Sequence, residues 1–248
     1  MLPKSLWLCS LAVVLLVSSC FAAGGTQTPS PIQPTMSPSQ NILDYFPLKR
    51  GAYWIYQGTV KWTKINSSDI VEEEITWKME VERAFQRNTI VGYEMVGAPW
   101  DLAWYEAGKE RSKYGIIQAG GRFYRVPSET VIRLLNEDDN LFGLIDENDI
   151  FLDTPLVDGK KFCDAISMAR PDNMYCWNVG EARPFDSSST KGIDASKELW
   201  EYPIANGTMP DASMLYFVPG VGISHYLYRH HGTVSEVDVH LIEYSPGE

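Results

Sequence analysis

From Tyr53 to Thr63 the chain reads YWIYQGTVKWT, dense in aromatic and β-branched side chains. Such residues fit a half-buried pleated surface, so the stretch predicts a strand. Asn66, Ser67, Ser68 and Asp69 form a turn cluster. Beyond it Ile75, Trp77, Met79 and Val81 alternate with Glu74, Thr76, Lys78, Glu80 and Glu82. Period two puts one face in a core and the other in water, and the two segments make a long hairpin. Residues 89–96 continue as a third strand, and 102–105 and 114–117 read as further strands. Ala119, Gly120 and Gly121 then turn the chain into a strand over residues 122–126. Ser128 is placed to cap a short helix with Val131, Ile132 and Leu135 on one face. After an acidic stretch ending at Asp149, β character returns from Ile150, with strands over 174–179, 199–202, 214–218, 222–230 and 236–244 and a loop over 186–197. The pattern predicts a mainly β, antiparallel fold: a strongly curved sheet or partial barrel with one or two short helices near 128–149.

The first forty residues follow no such pattern. One positive charge, Lys4, precedes an apolar run over 6–17 that ends in small residues. The run is too short for a permanent membrane span and has the profile of a signal peptide. A plain secretory peptide would be cut after Ala22 or Ala23. Val17-Ser18-Ser19-Cys20, however, resembles the lipobox of bacterial lipoproteins. That resemblance implies cleavage before Cys20, lipidation of its sulfur, and a cell-envelope protein anchored on the extracytoplasmic side of a bacterial membrane. Residues 21–41, rich in Pro, Ser, Thr and Gln and free of charge, read as a disordered tether. The expected organisation is a lipoprotein signal peptide over 1–19, the lipidated cysteine and tether over 20–41, and one antiparallel β domain over 42–248.

The domain opens on Tyr45-Phe46-Pro47-Leu48, followed by Gly51, Trp54 and Tyr56. This YFPLxxGxxWxY opening is similar to that of uncharacterised β-rich bacterial lipoproteins, a likeness that implies no activity. A more distant likeness, of architecture alone, is to lipoprotein carriers whose curved sheet wraps an apolar hollow. Pro47-Leu48-x-x-Gly51-x-x-Trp54 returns as Pro155-Leu156-x-x-Gly159-x-x-Phe162, with a looser third copy around Phe217, Pro219 and Gly222. The unequal spacing marks a recurring way to start a strand rather than a solenoid.

Charge narrows the partners. The chain carries 21 Lys and Arg against 32 Asp and Glu, a formal net charge of -11. Nucleic acid is not expected, because phosphate must be neutralised by basic side chains. Of the four cysteines, Cys9 leaves with the signal and Cys20 is consumed by lipid. Cys163 and Cys176 remain, close enough to bond in an oxidising compartment. Two reduced, half-buried thiols are the alternative.

All four histidines, His225, His230, His231 and His240, fall in the last hairpin. A turn centred between Thr233 and Val234 would set Tyr226, Tyr228 and His230 against Leu241, Val239 and Val237, and Arg229 against Asp238. His225 and His240 then become diagonal neighbours, with Asp238 as a third candidate metal ligand. Ordinary surface histidines are the stronger reading, so no metal and no cofactor are expected. Asn136, Asp138, Asn140, Phe142 and Glu147 imitate a calcium loop, but Leu141 stands where the sharp turn needs Gly. No nucleophile elbow, HExxH or phosphate loop is present. Trp100, Asp101, Trp104 and Tyr105 cluster between strands and are the candidate lining of a ligand groove. The expected function is a non-enzymatic binding or interaction module of unknown ligand. A carrier or chaperone for an apolar ligand is the alternative, and a hydrolase the third reading. A cavity above about 300 Å³ lined by Trp and Leu favours the carrier, and a filled interior the module.

Overall fold

The computed structural model describes residues 45–134 and 140–248. The lipobox, Cys20 and the tether lie outside them. The first half of the sheet comprises β1 (Tyr53–Thr63), β2 (Ile70–Arg87), β3 (Ile90–Val96), β4 (Lys113–Ala119), β5 (Arg122–Val126) and β6 (Ile150–Asp153). The second comprises β7 (Lys161–Phe162), β8 (Trp177–Val179), β9 (Arg183–Pro184), β10 (Trp200–Gly207), β11 (Asp211–Val218), β12 (Gly222–His230) and β13 (Ser235–Ser245). Two short helices, α1 (Ser128–Arg133) and α2 (Ala165–Met168), decorate it.

Each half is an antiparallel meander. β13 returns to pair with β1, so the order runs β6-β5-β4-β3-β2-β1-β13-β12-β11-β10-β8-β7, with β9 flanking β10. The two ends of this path meet. Trp177 of β8 donates its indole N–H to the carbonyl of Ile150 in β6 at 3.0 Å. Lys160, just before β7, reaches the Asp153 carboxylate of β6 at 2.9 Å. The sheet is thus a nearly closed barrel with one seam, between β6 and the β7–β8 pair, where side chains replace ladder bonds. Near-closure leaves little bare strand edge to recruit other chains.

The opening motif fills the barrel. Tyr45, Phe46 and Leu48 are buried. The Phe46 ring meets Trp54 at 5.7 Å, Phe123 at 5.9 Å and Phe217 at 5.3 Å, so one side chain touches β1, β5 and β11. Each such pair adds about 0.5–1.5 kcal/mol beyond the area buried. Trp54 donates its indole N–H to the Val221 carbonyl at 2.7 Å, and the Tyr56 hydroxyl donates to that of Ile223 at 3.0 Å. Gly222 sits between those carbonyls at φ +115°, and a Cβ there would lie 2.7 Å from the Phe46 ring. Only glycine fits both that backbone and that gap.

The repeated Pro-Leu-x-x-Gly signature has a common structural meaning. Gly51 (φ +78°) donates to the Val81 carbonyl, and the Val81 amide donates back to Ala52. Gly159 (φ +76°) donates to Val179, and the Val179 amide donates back to Lys160. Each copy opens the first strand of its half and drops a buried aromatic, Trp54 or Phe162, onto the core side. The copies also touch, since the Leu156 amide donates to the Tyr45 hydroxyl at 3.0 Å.

Three expectations are corrected. Residues 102–105 are not a strand: Pro99 starts a 3-10 turn ending at Leu102, and Trp104 has φ 55°. Ser128 is the first residue of α1 rather than its cap, and its hydroxyl donates to Glu94 at 3.0 Å. Val131 of that helix is buried but Ile132 is 45% exposed, while Leu134 takes an inward position and Leu135 lies outside the described residues. In the last hairpin, Tyr226 faces Val239, Tyr228 faces Val237 and Arg229 faces Glu236. The turn is one residue earlier than expected, between Gly232 and Thr233. A two-residue shift of pairing preserves which side chains face the core, so the hydrophobic pattern alone could not discriminate the two registers.

Candidate functional site

A cavity of about 410 Å³ opens beside the seam. Its floor is made by inward side chains of the barrel, Leu215 and Tyr226, with Ile150 and Phe151 of β6. Trp100 and Trp177 form two walls, and Tyr175 stands at the rim, 44% exposed. Polar groups share the lining: Arg125, Glu147, Asn148, Asp149, Asn206, Thr208 and Ser213. The remaining wall is the segment closed by the Cys163–Cys176 disulfide, which contributes Cys163, Asp164 and Ser167. Asp164 caps α2 by accepting from the amides of Ile166 and Ser167.

Three charges in this lining, Arg125, Asp149 and Asp164, are in no ion pair among the described residues, and Asp164 is spent on the α2 cap. The Arg125 guanidinium lies 5.4 Å from the Trp100 ring centroid, over its face. Asp149 is half-buried, and burial, reinforced by the charge of Asp146 and opposed by Arg125, raises its carboxyl above the ordinary value. Glu147 is engaged: both carboxylate oxygens accept from Arg122 at 3.0 Å. That pairing occupies the residue expected to close a calcium loop; Asn136 and Asp138 of the same expectation lie outside the described residues.

The cluster read as a groove disperses. Only Trp100 reaches the cavity. Asp101 accepts from the Ser112 amide at 3.1 Å and braces a loop. Trp104, 49% exposed, packs on His230 with centroids 4.5 Å apart. Tyr105 is buried edge-on against Trp62 at 5.0 Å. Sequence proximity misleads here because the tight turn at Pro99 points consecutive side chains in different directions. Trp177, the second wall, sits on a strand three residues long and gave no periodic signal.

The histidines behave differently. His225 and His240 are directly opposed on β12 and β13, not diagonal, and their rings stack at 3.7 Å. Both project from the outer face of the barrel. Asp238 Oδ1 lies 2.8 Å from His225 Nε2 and 3.2 Å from His240 Nε2. His230 lies apart, its Nδ1 2.8 Å from Asp211.

No family model matches this chain. No curated protein matches it either. Among solved structures it is similar to a candidate lipoprotein from Parabacteroides distasonis, at 12% identity and a TM-score of 0.35, covering 81% of this chain and 98% of that one. It is also similar to a candidate exported protein with a YmcC-like fold from Bacteroides fragilis, at 11% identity and a TM-score of 0.34, with the same coverage.

Proposed function

We propose that this chain is a lipid-anchored, extracytoplasmic binding module that holds a small hydroxyl-rich ligand, of the carbohydrate class, in the seam cavity. The observation that carries this reading is the mixed lining. Aromatic faces of Trp100, Trp177 and Tyr175 alternate with the planar polar groups of Arg125, Asn148, Asp149 and Asn206. Aromatic faces suit the C–H side of a sugar ring, and carboxylate, amide and guanidinium groups suit its hydroxyls. At about 410 Å³ the space falls at the lower end of the roughly 300–1,000 Å³ range of small-molecule sites.

The carrier reading has less support. The cavity passes the size expected of a carrier, but its Trp and Leu share the wall with charges. The barrel centre, where an acyl chain would lie, is occupied by Tyr45, Phe46, Trp54 and Tyr56. Three carboxylates that a hydrolase could use, Glu147, Asp149 and Asp164, line the cavity, but Glu147 is paired with Arg122 and Asp164 caps α2, which favours binding over turnover.

Titration calorimetry against a panel of soluble mono- and disaccharides tests the ligand. The expected result is binding by the parent chain, with loss in Trp177→Ala and weakening in Asp149→Asn. Binding that survives both substitutions would refute the seating. Fractionation tests the anchor separately: Cys20→Ser should move the protein from the membrane to the soluble fraction.

A further inference from the structure

We propose that the outer face of β12 and β13 is a binding site for a divalent transition-metal ion of the zinc or copper(II) class, ligated by Nε2 of His225, Nε2 of His240 and Oδ1 of Asp238. The Asp238 oxygen is 2.8 and 3.2 Å from the two Nε2 atoms, and the three residues offer one ligand atom each within 4.8 Å of one another. A tetrahedral site with bonds of about 2.0–2.1 Å needs its ligand atoms on the order of 3.3 Å apart. Closing that difference needs the stacked rings to tilt so that their Nε2 lone pairs converge, a rotation open to His240, whose ring is 60% exposed, since all three residues are already on one face of two paired strands. Without an ion, both imidazole Nε2 edges are aimed at one carboxylate oxygen, and a metal would replace protons at the point where they converge.

The donor set chooses the ion. Two imidazoles and one carboxylate suit zinc, copper or nickel and are poor for magnesium or calcium, which demand oxygen. Three protein ligands leave a fourth position open to water or an incoming group. The surroundings permit that. His225 and His240 border an outer hollow of about 280 Å³, while Asp238 borders the adjoining groove.

A scaffold behind the ligands fixes the first of them. The His225 ring is held between His240 and Tyr216, whose centroid is 4.7 Å away and nearly coplanar at 11°. Arg183 lies over the Tyr216 ring at 4.5 Å. Arg183 is in turn clamped by the buried Glu201, with its Nε and terminal nitrogen 2.8 and 2.7 Å from one carboxylate oxygen. Guanidinium, phenol and two imidazoles form one column running out from a buried carboxylate. Such outer support is what orients ligand rings in metal sites, at about 10–100-fold in affinity. The site lies on the opposite face of the sheet from the seam cavity and does not depend on it.

The test is a zinc chloride titration of the full chain, followed by the imidazole NMR signals of its four histidines. The expected result is a joint shift of His225 and His240 saturating at one equivalent, with His230 and His231 unmoved. His240→Ala removes a ring that is 60% exposed and should leave the fold intact. It should weaken binding at His225 more than about 100-fold, beyond the loss typical of an outer partner. Asp238→Asn, nearly isosteric, should weaken it as well. An unmoved His225–His240 pair, a shift centred on His231, or equal binding by the parent and His240→Ala would each overturn the site.

Discussion

Replacing Cys163 and Cys176 together by Ala tests how the cavity wall is held. The bond joins residues 13 apart, with Cα atoms at 4.8 Å. The chain-entropy relation for a closed loop of about 14 residues gives roughly 10 cal/mol/K, or about 3 kcal/mol at 25 °C. For a domain of this size each kcal/mol is worth about 2–4 °C in Tm, so the double variant should melt about 6–12 °C lower. The effect should also have a place. The closed segment carries α2 and the Asp164 and Ser167 wall, and even three of its large hydrophobic side chains are exposed: Ile166 at 83%, Tyr175 at 44% and Met168 at 43%. With so little burial of its own, the segment relies on the crosslink and on the Tyr175 amide donating to Gly207. Denaturant unfolding with hydrogen exchange is the assay. The double variant and the reduced parent should lose the same free energy, and amides over 164–175 should exchange faster while those of β1 and β13 change only with global stability. A loss below about 1 kcal/mol, or unchanged exchange in that segment, would refute the reasoning.

Other outcomes follow from single contacts. Gly222→Ala forces a Cβ onto a φ of +115° and against Phe46 and Trp54, and should cost about 2–5 kcal/mol from backbone strain and overpacking together, read by the denaturant midpoint. Trp54→Phe strands the buried Val221 carbonyl and leaves a void, for about 2–4 kcal/mol, whereas Tyr56→Phe loses only a hydroxyl and should cost less. Burial pushes the Asp211 carboxyl up, but the Tyr228 hydroxyl at 2.6 Å and the His230 ring at 2.8 Å outweigh it and hold it below the ordinary value. A carboxyl depressed in the folded state stabilises above its unfolded pKa, about 3.9, and that contribution disappears as pH falls through the lower folded value. Stability-versus-pH curves of the parent and Asp211→Asn should therefore converge below about pH 4 and separate above it; parallel curves would contradict the pairing. Finally, a charge-swap cycle should couple Arg229 with Glu236 by a few tenths of a kcal/mol and not with Asp238, since the exposed ion pair spans 3.6 Å.

The sheet was legible where one face is wet and the other dry. The strand at 53–63, that at 122–126 and that at 222–230 fall where alternation and aromatic density put them. β2 was read from Ile75 but begins at Ile70, because residues 70–74 project beyond the core and show no dry face for alternation to reveal. β10 runs on through Pro203 to Gly207, where proline removes a donor and hides the strand. The pairing of β13 with β1 joins segments almost 190 residues apart, and nothing local encodes it.

The two candidate sites were legible to different degrees, and the difference concerns what sequence can specify. The seam cavity exists only because two meanders, each opened by the same Pro-Leu-x-x-Gly signature, bring their last and first strands together without pairing them. Its lining comes from β5, β6, β8, β10, β11 and β12, the 3-10 turn after β3 and the disulfide loop, so no window of sequence contains it. The histidine site is the reverse case. Its three residues lie within sixteen positions and were visible at once, yet their geometry hung on one turn. Centred between Thr233 and Val234, that turn makes His225 and His240 diagonal neighbours, about 7–8 Å apart on strand geometry. Centred between Gly232 and Thr233, it stacks them at 3.7 Å. Both registers bury Tyr226, Tyr228, Val237 and Val239, so burial is indifferent between them. The polar partners differ instead: Arg229 faces Asp238 in the expected register and meets Glu236 in the observed one, where His225 and His240 share Asp238. The register that the core leaves open is thus the one that assembles the proposed metal ligands on the wet face.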